Sequence, residues 1–168
     1  MQPYQFPQKR VESYDLVEWV RQWFEQRADV LEVRDFQDDP FFYHKGDLMI
    51  VRRDGGVQFV EVKCESSYTR TTTPNLAIER YSSIERHSPG GPWSTDADFF
   101  AHIYADGLLV IINRRRLVTW LESELARDPK AFAYREIPNA GWTTGTYLVP
   151  RERVRDALGS WYREFDTR

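Results

Sequence analysis

Two short apolar runs separated by a glycine turn constrain the fold of this 168-residue chain more than any other feature. The runs span 46–51 and 57–65, both are rich in β-branched residues, and an Asp-Gly-Gly turn lies at 54–56. Such a pattern predicts a β-hairpin. Because successive side chains of a strand point to opposite faces, Glu61 and Lys63 share one face. The second strand therefore carries a carboxylate and an ammonium group side by side.

Asp47 opens the first strand of this hairpin, at the end where Glu61 and Lys63 lie on the second strand. Mg²⁺ prefers oxygen ligands, usually one or two carboxylates together with carbonyl, water and phosphate oxygens. Asp47 and Glu61 would supply the carboxylates, and the backbone carbonyl of Val62 would be a third ligand. Lys63 would hold the attacking water or offset negative charge on a phosphate. The alternative is a surface strand with an ion pair, but the apolar residues around Glu61 favour a core strand.

These residues also resemble a family signature. Gly46-Asp47, a hairpin-length gap and Glu61-Val62-Lys63 are similar to the motif of the PD-(D/E)XK nuclease superfamily, which includes restriction endonucleases and Holliday junction resolvases. Gly46 stands where that motif usually has Pro. The resemblance implies an α/β (α+β) fold of the restriction endonuclease type, with a three-layer αβββαβ core and a mixed central sheet. It also implies Mg²⁺ or Mn²⁺ as cofactor, with Asp47, Glu61 and Lys63 as catalytic residues.

The order of predicted elements agrees with that core in its first two thirds. The expected organisation is one domain with an N-terminal arm at 1–10, a core at 11–113 and a C-terminal strand-helix extension at 114–168. Hydrophobic periodicity and turn residues predict these elements. Helices are expected at 11–27, at 96–104 after a cap at Ser94 or Thr95, from Arg114 onward and at 151–165. Besides the hairpin, strands are expected at 30–36, 75–81, 107–113, 131–137 and 145–149.

Two further acids are candidates for the same site. Glu12 projects into the apolar stripe of the first helix, where it would reach the metal from beneath the hairpin, as in resolvase-like proteins; alternatively it favours the helix dipole in the first turn. Glu79 lies on the strand after the hairpin. The Asn75-to-Glu79 segment also resembles a group of phage-borne and bacterial proteins of the superfamily.

Basic residues suggest where nucleic acid would bind. Arg70 lies in a polar loop that leaves the hairpin, and Arg114, Arg115 and Arg116 form a basic triplet at a helix start. Arg makes bidentate contacts with phosphate groups. The alternative is that these residues are ordinary solvated side chains. The formal net charge of −3 counts against a non-specific nucleic-acid binder, although bound cations would reverse the local field.

The overall composition predicts a globular cytoplasmic protein. No apolar run is long enough for a membrane span, the N-terminus lacks a signal-peptide pattern, and the single Cys64 excludes an internal disulfide and a cysteine-based zinc site. We therefore expect no membrane partner. Cutting both strands of a duplex would require a homodimer, because one site of this size nicks one strand.

These features are compatible with two functions, one enzymatic and one non-catalytic. The first is a Mg²⁺- or Mn²⁺-dependent endonuclease that hydrolyses phosphodiester bonds of nucleic acid, with DNA as the expected substrate. The second is a non-catalytic module that uses a nuclease-like fold to bind nucleic acid or a protein partner, for example in phage defence or counter-defence. The presence of all three motif residues favours the first function, and the absence of a basic charge balance favours the second.

Overall fold

The computed structural model describes residues 6–37, 39, 41–42 and 44–167, and the side chains among them from residue 15 onward. This part of the chain is a mixed α+β structure. The helices are α1 (Phe6–Glu25), α2 (Arg114–Arg127) and α3 (Arg151–Leu158). The strands are β1 (Val30–Asp35), β2 (Leu48–Arg52), β3 (Val57–Glu65), β4 (Asn75–Ser83), β5 (Ser88–Pro89), β6 (Phe99–Tyr104), β7 (Leu108–Asn113), β8 (Ala133–Pro138), β9 (Thr143–Pro150) and β10 (Tyr162–Asp166).

The larger sheet is mixed and has the order β1-β2-β3-β6-β7-β10. The predicted hairpin is confirmed: β2 and β3 pair antiparallel, with Leu48 opposite Val60. β3 then pairs in parallel with β6, whereas every other neighbouring pair in this sheet is antiparallel. A parallel pair needs a long crossover connection. Here that connection contains β4, β5 and the short 3-10 helix Gly91–Trp93.

Apolar side chains cover both faces of the larger sheet. On one face, α1 packs through residues such as Val20 and Phe24 against Leu48, Ile50 and Val60. The opposite face packs against a second, four-stranded sheet with the order β5-β4-β9-β8, and against α2 and α3. Because β3 alternates, Val60 faces α1, whereas Glu61 and Lys63 face the second layer. No helix of the described chain is long and apolar enough to cross a membrane.

The helix predicted at 96–104 is wrong, because this segment forms strand β6. All five residues from Phe100 to Tyr104 are buried, since α1 covers one face and the second layer covers the other. A strand that is buried on both faces has a continuous apolar sequence, which cannot be distinguished from a buried helix by periodicity. The second helix of an αβββαβ order is therefore not present in the described connection between β3 and β6.

The C-terminal part also differs from the prediction. The strands at 131–137 and 145–149 are confirmed as β8 and β9, but the last helix ends at Leu158 instead of 165. Gly159 then adopts a φ of +52°, which favours glycine and ends the helix. The next residues form β10, which pairs with β7 at the edge of the larger sheet. This segment thus belongs to the same sheet as the hairpin.

Candidate active site

Asp47 is held by backbone contacts where β2 begins. Its N–H donates to the Val60 carbonyl over 2.9 Å, and its Oδ2 accepts a hydrogen bond from the Val62 N–H at 2.7 Å. Because β2 pairs with β3 only from Leu48 onward, the carboxylate of Asp47 replaces the missing strand partner of Val62. The side chain is therefore fixed beside β3 by the hairpin register.

Gly46 allows this arrangement. Its φ is +117°, a region that side chains other than glycine rarely adopt, and a Cβ atom at this position would lie 2.8 Å from the Val60 carbonyl oxygen. The same φ excludes proline, which requires a φ near −65°. Glycine at the position before Asp47 is thus a structural requirement of this chain.

We expect Gly46→Ala to destabilise the protein by about 3 kcal/mol, because it combines an unfavourable φ with a backbone clash. Gly55→Ala is the matched control, since Gly55 also has a positive φ (+88°) but a Cβ atom there would meet nothing within 4 Å. The control should lose about 1 kcal/mol. Chemical denaturation of the two variants measures the difference, and equal losses would show that the close approach to Val60 does not matter.

Glu61 and Lys63 lie on β3 beside strand β6. Glu61 is opposite Phe100 and Lys63 is opposite His102 in the parallel register. Both side chains are half-buried, as is Asp47. The structure therefore brings Asp47, Glu61 and Lys63 together beside β3, which is the convergence that the hairpin predicts.

Burial dominates the electrostatics of the two carboxyl groups. It raises the pKa of Glu61 to about 8, and repulsion from Asp47 contributes further to this shift. It also raises the pKa of Asp47 to about 6, although the hydrogen bond from Val62 opposes this change. Lys63 favours the ionised form of Glu61, but its effect is the smallest of those that act on that residue. One ammonium group therefore does not compensate the negative charge of the pair.

Glu79 joins this group from the second sheet. Burial raises its pKa, attraction to Lys63 opposes that change, and repulsion from Glu79 contributes to the raised pKa of Glu61. The backbone at Gly90 lies against the Glu79 side chain, since a Cβ atom on Gly90 would be only 2.5 Å from Oε1 of Glu79. The structure thus places this predicted acid near the site. Glu12 lies on α1, but its side chain is outside the described residues.

Thr95 is a site residue for which the sequence predicted a different role. It is buried, its hydroxyl accepts a hydrogen bond from the Ala97 N–H at 3.1 Å, and a hydrogen bond with Thr95 lowers the pKa of Glu61. The sequence suggested a helix cap at this position. The Thr95 hydroxyl does bind a nearby backbone N–H, as a helix cap would, but the turn that it stabilises leads into strand β6 instead of a helix.

The donor atoms of the site fit a divalent cation. Asp47 and Glu61 offer carboxylate oxygens, which Mg²⁺ and Mn²⁺ prefer. The Val62 carbonyl lies on the same side of β3 as the Val62 N–H that contacts Asp47, because the two groups of one strand residue point to the same neighbour. Within the described chain, no group of three or more His, Cys, Asp or Glu side chains is arranged to hold a metal. The candidate set therefore consists of two carboxylates and a carbonyl.

The four arginines predicted to bind nucleic acid have different environments. Arg70 forms ion pairs with Asp106 at 2.9 Å and with Asp166 at 3.2 Å. Arg114 donates to the carbonyl oxygens of Ala97 and Pro92, so it supports the segment that carries Thr95. Their contact with nucleic acid remains a prediction.

Arg115 and Arg116 lie in the first turn of α2 and are exposed. The guanidinium group of Arg116 lies over the ring of Trp161, 5.4 Å from its centre. These two residues of the triplet are therefore more accessible to a phosphate group than Arg114 is.

Comparison of the chain with protein-family models, curated proteins and solved structures found no significant match.

Proposed function

We propose that this protein is a metal-dependent nuclease that hydrolyses phosphodiester bonds of nucleic acid, with DNA as the expected substrate. The observation that carries the proposal is the placement of Asp47 and Glu61 side by side in a half-buried position, with Lys63 on the same face. Two carboxylates that repel each other without a sufficient counter-charge are a destabilising arrangement, which a bound cation would relieve.

The order of elements supports the proposal in its first part. Helix α1, the three strands β1 to β3 and the mixed sheet agree with the αβββ portion of the core that the motif implies. The remainder is different, because strand β6 forms where the second helix was expected.

Each residue of the site would have a separate role in hydrolysis. Asp47, Glu61 and the Val62 carbonyl would hold Mg²⁺ or Mn²⁺, which would stabilise the negative charge that develops on the phosphate group. Lys63 would orient the attacking water and contribute positive charge at the same phosphate. As the water oxygen bonds to phosphorus and the bond to the leaving oxygen breaks, Glu79 can accept the proton from water. The leaving oxygen then takes a proton from solvent.

A panel of substrates tests this proposal. We would incubate the protein with plasmid, linear, single-stranded and four-way-junction DNA and with RNA, each with Mg²⁺, Mn²⁺ or a chelator. Cleavage that requires a metal ion would support the nuclease and identify its substrate class. Absence of cleavage on every substrate, or cleavage that persists in chelator, would contradict it.

The charge distribution favours a second function, that of a non-catalytic binding module. The net charge is −3, and the guanidinium groups of Arg70 and Arg114 are engaged with the protein itself. A surface of this kind has no strong basic field to attract nucleic acid. Titration calorimetry with Mn²⁺ and a pull-down experiment separate the two functions, because a binding module would capture a partner without binding the metal.

A further inference from the structure

His102 is a fully buried histidine whose ring nitrogens both lack a hydrogen-bond partner among the described residues. It lies on β6 between Phe100 and Tyr104, and the rings of these neighbours are 5.1 and 6.2 Å from the imidazole. Burial lowers the pKa of His102 to about 3, so the ring is neutral at physiological pH. A neutral imidazole has one N–H donor and one acceptor nitrogen.

Such a residue is unfavourable for stability. A buried polar group without a partner costs about 1–3 kcal/mol relative to a paired one. An apolar side chain of similar size would fill the same space between two aromatic rings without this cost. His102 therefore calls for an explanation other than packing.

The position of His102 suggests one. In the parallel register it is directly opposite Lys63, and its Nδ1 lies 4.0 Å from Oε1 of Glu65, which is almost buried on the same face of β3. Residues paired across neighbouring strands have side chains within contact distance. The imidazole thus lies next to a cation on one residue and next to a carboxylate on another.

We propose that His102 is a positioning residue: a rotation of the Lys63 side chain would let its ammonium group donate a hydrogen bond to the acceptor nitrogen of the imidazole, whose own N–H is directed to Glu65, and this bond would hold Lys63 in place. As a statement about catalysis, this inference rests on the proposed nuclease function. The proposed hydrogen bond between Lys63 and His102 does not depend on that function and can be tested separately.

The arrangement explains why a neutral ring suits this site. A protonated imidazole has two donors and no acceptor, so it could not accept a hydrogen bond from an ammonium group. The buried environment that keeps His102 neutral therefore also keeps its acceptor nitrogen available. The Lys63 side chain would then be restricted to the side of the sheet on which Glu61 lies.

Chemical labelling of lysine tests the contact without any substrate. The chain has four lysines, and Lys130, which is exposed, serves as the internal reference for reductive methylation followed by mass spectrometry. We expect His102→Leu to increase the labelling rate of Lys63 relative to Lys130 by about tenfold, the effect of losing one hydrogen bond to a charged group. His102→Gln, which keeps a donor and an acceptor, should restore slow labelling.

Phe100→Leu is the matched control, because it alters a buried aromatic residue two positions away on the same face of β6. It should leave Lys63 labelling unchanged although it lowers the melting temperature. His102→Leu should lower the melting temperature no more than Phe100→Leu does. Equal labelling of Lys63 in these two variants would overturn the inference.

Cleavage assays separate this inference from the proposed function. If the protein is a nuclease, we expect His102→Leu to lower kcat about tenfold with little change in KM, and His102→Gln to recover activity. If labelling responds as expected but no cleavage is found with any substrate, the contact stands and the nuclease proposal fails. If cleavage is found but neither labelling nor kcat responds, the nuclease stands and the role of His102 fails.

Discussion

Glu61→Gln is expected to lower metal-dependent cleavage at least about 1,000-fold and, at the same time, to raise the stability of the protein at alkaline pH. The first effect follows because a neutral amide cannot replace a carboxylate ligand. The second follows because burial and repulsion from Asp47 raise the pKa of Glu61 to about 8. A variant that loses function and gains stability is a strong sign of a functional site.

The sign of the pH dependence follows from proton linkage. Because folding raises the pKa of Glu61, the native state binds more protons than the unfolded state between about pH 4 and pH 8. The contribution of Glu61 to stability is therefore fully present below the unfolded-state pKa and is lost as pH rises through about 8. Asp47 contributes in the same direction, with its pKa of about 6.

Thermal denaturation of wild type and Glu61→Gln across pH 5 to 9 measures this effect. We expect nearly equal stability at about pH 5, where Glu61 is protonated, and a gain of about 2 kcal/mol for the variant at about pH 8.5. In a chain of this length, that gain corresponds to about 6 °C. Glu32→Gln is a suitable control, because Glu32 is an exposed acid on β1. A variant that is less stable than wild type at alkaline pH would contradict the repulsion between the two carboxyl groups.

Divalent metal ions are expected to raise the melting temperature, which is the second large effect. At a concentration about one hundred times the dissociation constant, a ligand that binds only the native state adds about 2.7 kcal/mol, or about 8 °C in melting temperature here. We expect this shift for the wild type with Mn²⁺ or Mg²⁺ at about pH 8. It should decrease as the pH falls, because protons compete for Asp47 and Glu61.

Two comparisons make the metal experiment specific. NaCl at matched ionic strength controls for general screening of charge, and the exposed-acid variant Glu32→Gln should keep the full shift. Asp47→Asn and Glu61→Gln should lose it. A shift that is retained in both site variants would place the ion elsewhere, and no shift in the wild type would remove the basis for a metal-dependent activity.

The sequence was sufficient to predict the hairpin and the proximity of Asp47, Glu61 and Lys63. The alternation of apolar residues from Val57 to Glu65 is a local signal, and the position of Asp47 relative to Glu61 follows from the hairpin alone. The strand β7 was also predictable, since six consecutive apolar or amide residues suit a central strand. These features depend on short-range geometry, which sequence patterns describe well.

Other features depend on contacts between distant segments and had no local signal. The sequence around Phe99–Tyr104 is equally compatible with a buried helix, and its pairing with β3 and β7 makes it a strand. Glu79 was a candidate from the sequence, but the pairing of β4 with β9 in a second sheet was not predicted. The end of α3, by contrast, could have been found, since Gly159 is a common type of helix terminator.

The pairing of β4 with β9 also has a consequence for the order in which the protein folds. Asn75 lies opposite Pro150, so β4, which carries Glu79, cannot pair with β9 until a much later part of the chain has left the ribosome. The hairpin of β2 and β3 closes over a short loop and can form early, whereas this long-range closure is slow. We therefore expect Glu79 to come next to Asp47 and Glu61 late in folding. Any enzymatic activity should then return only in the slowest phase of refolding.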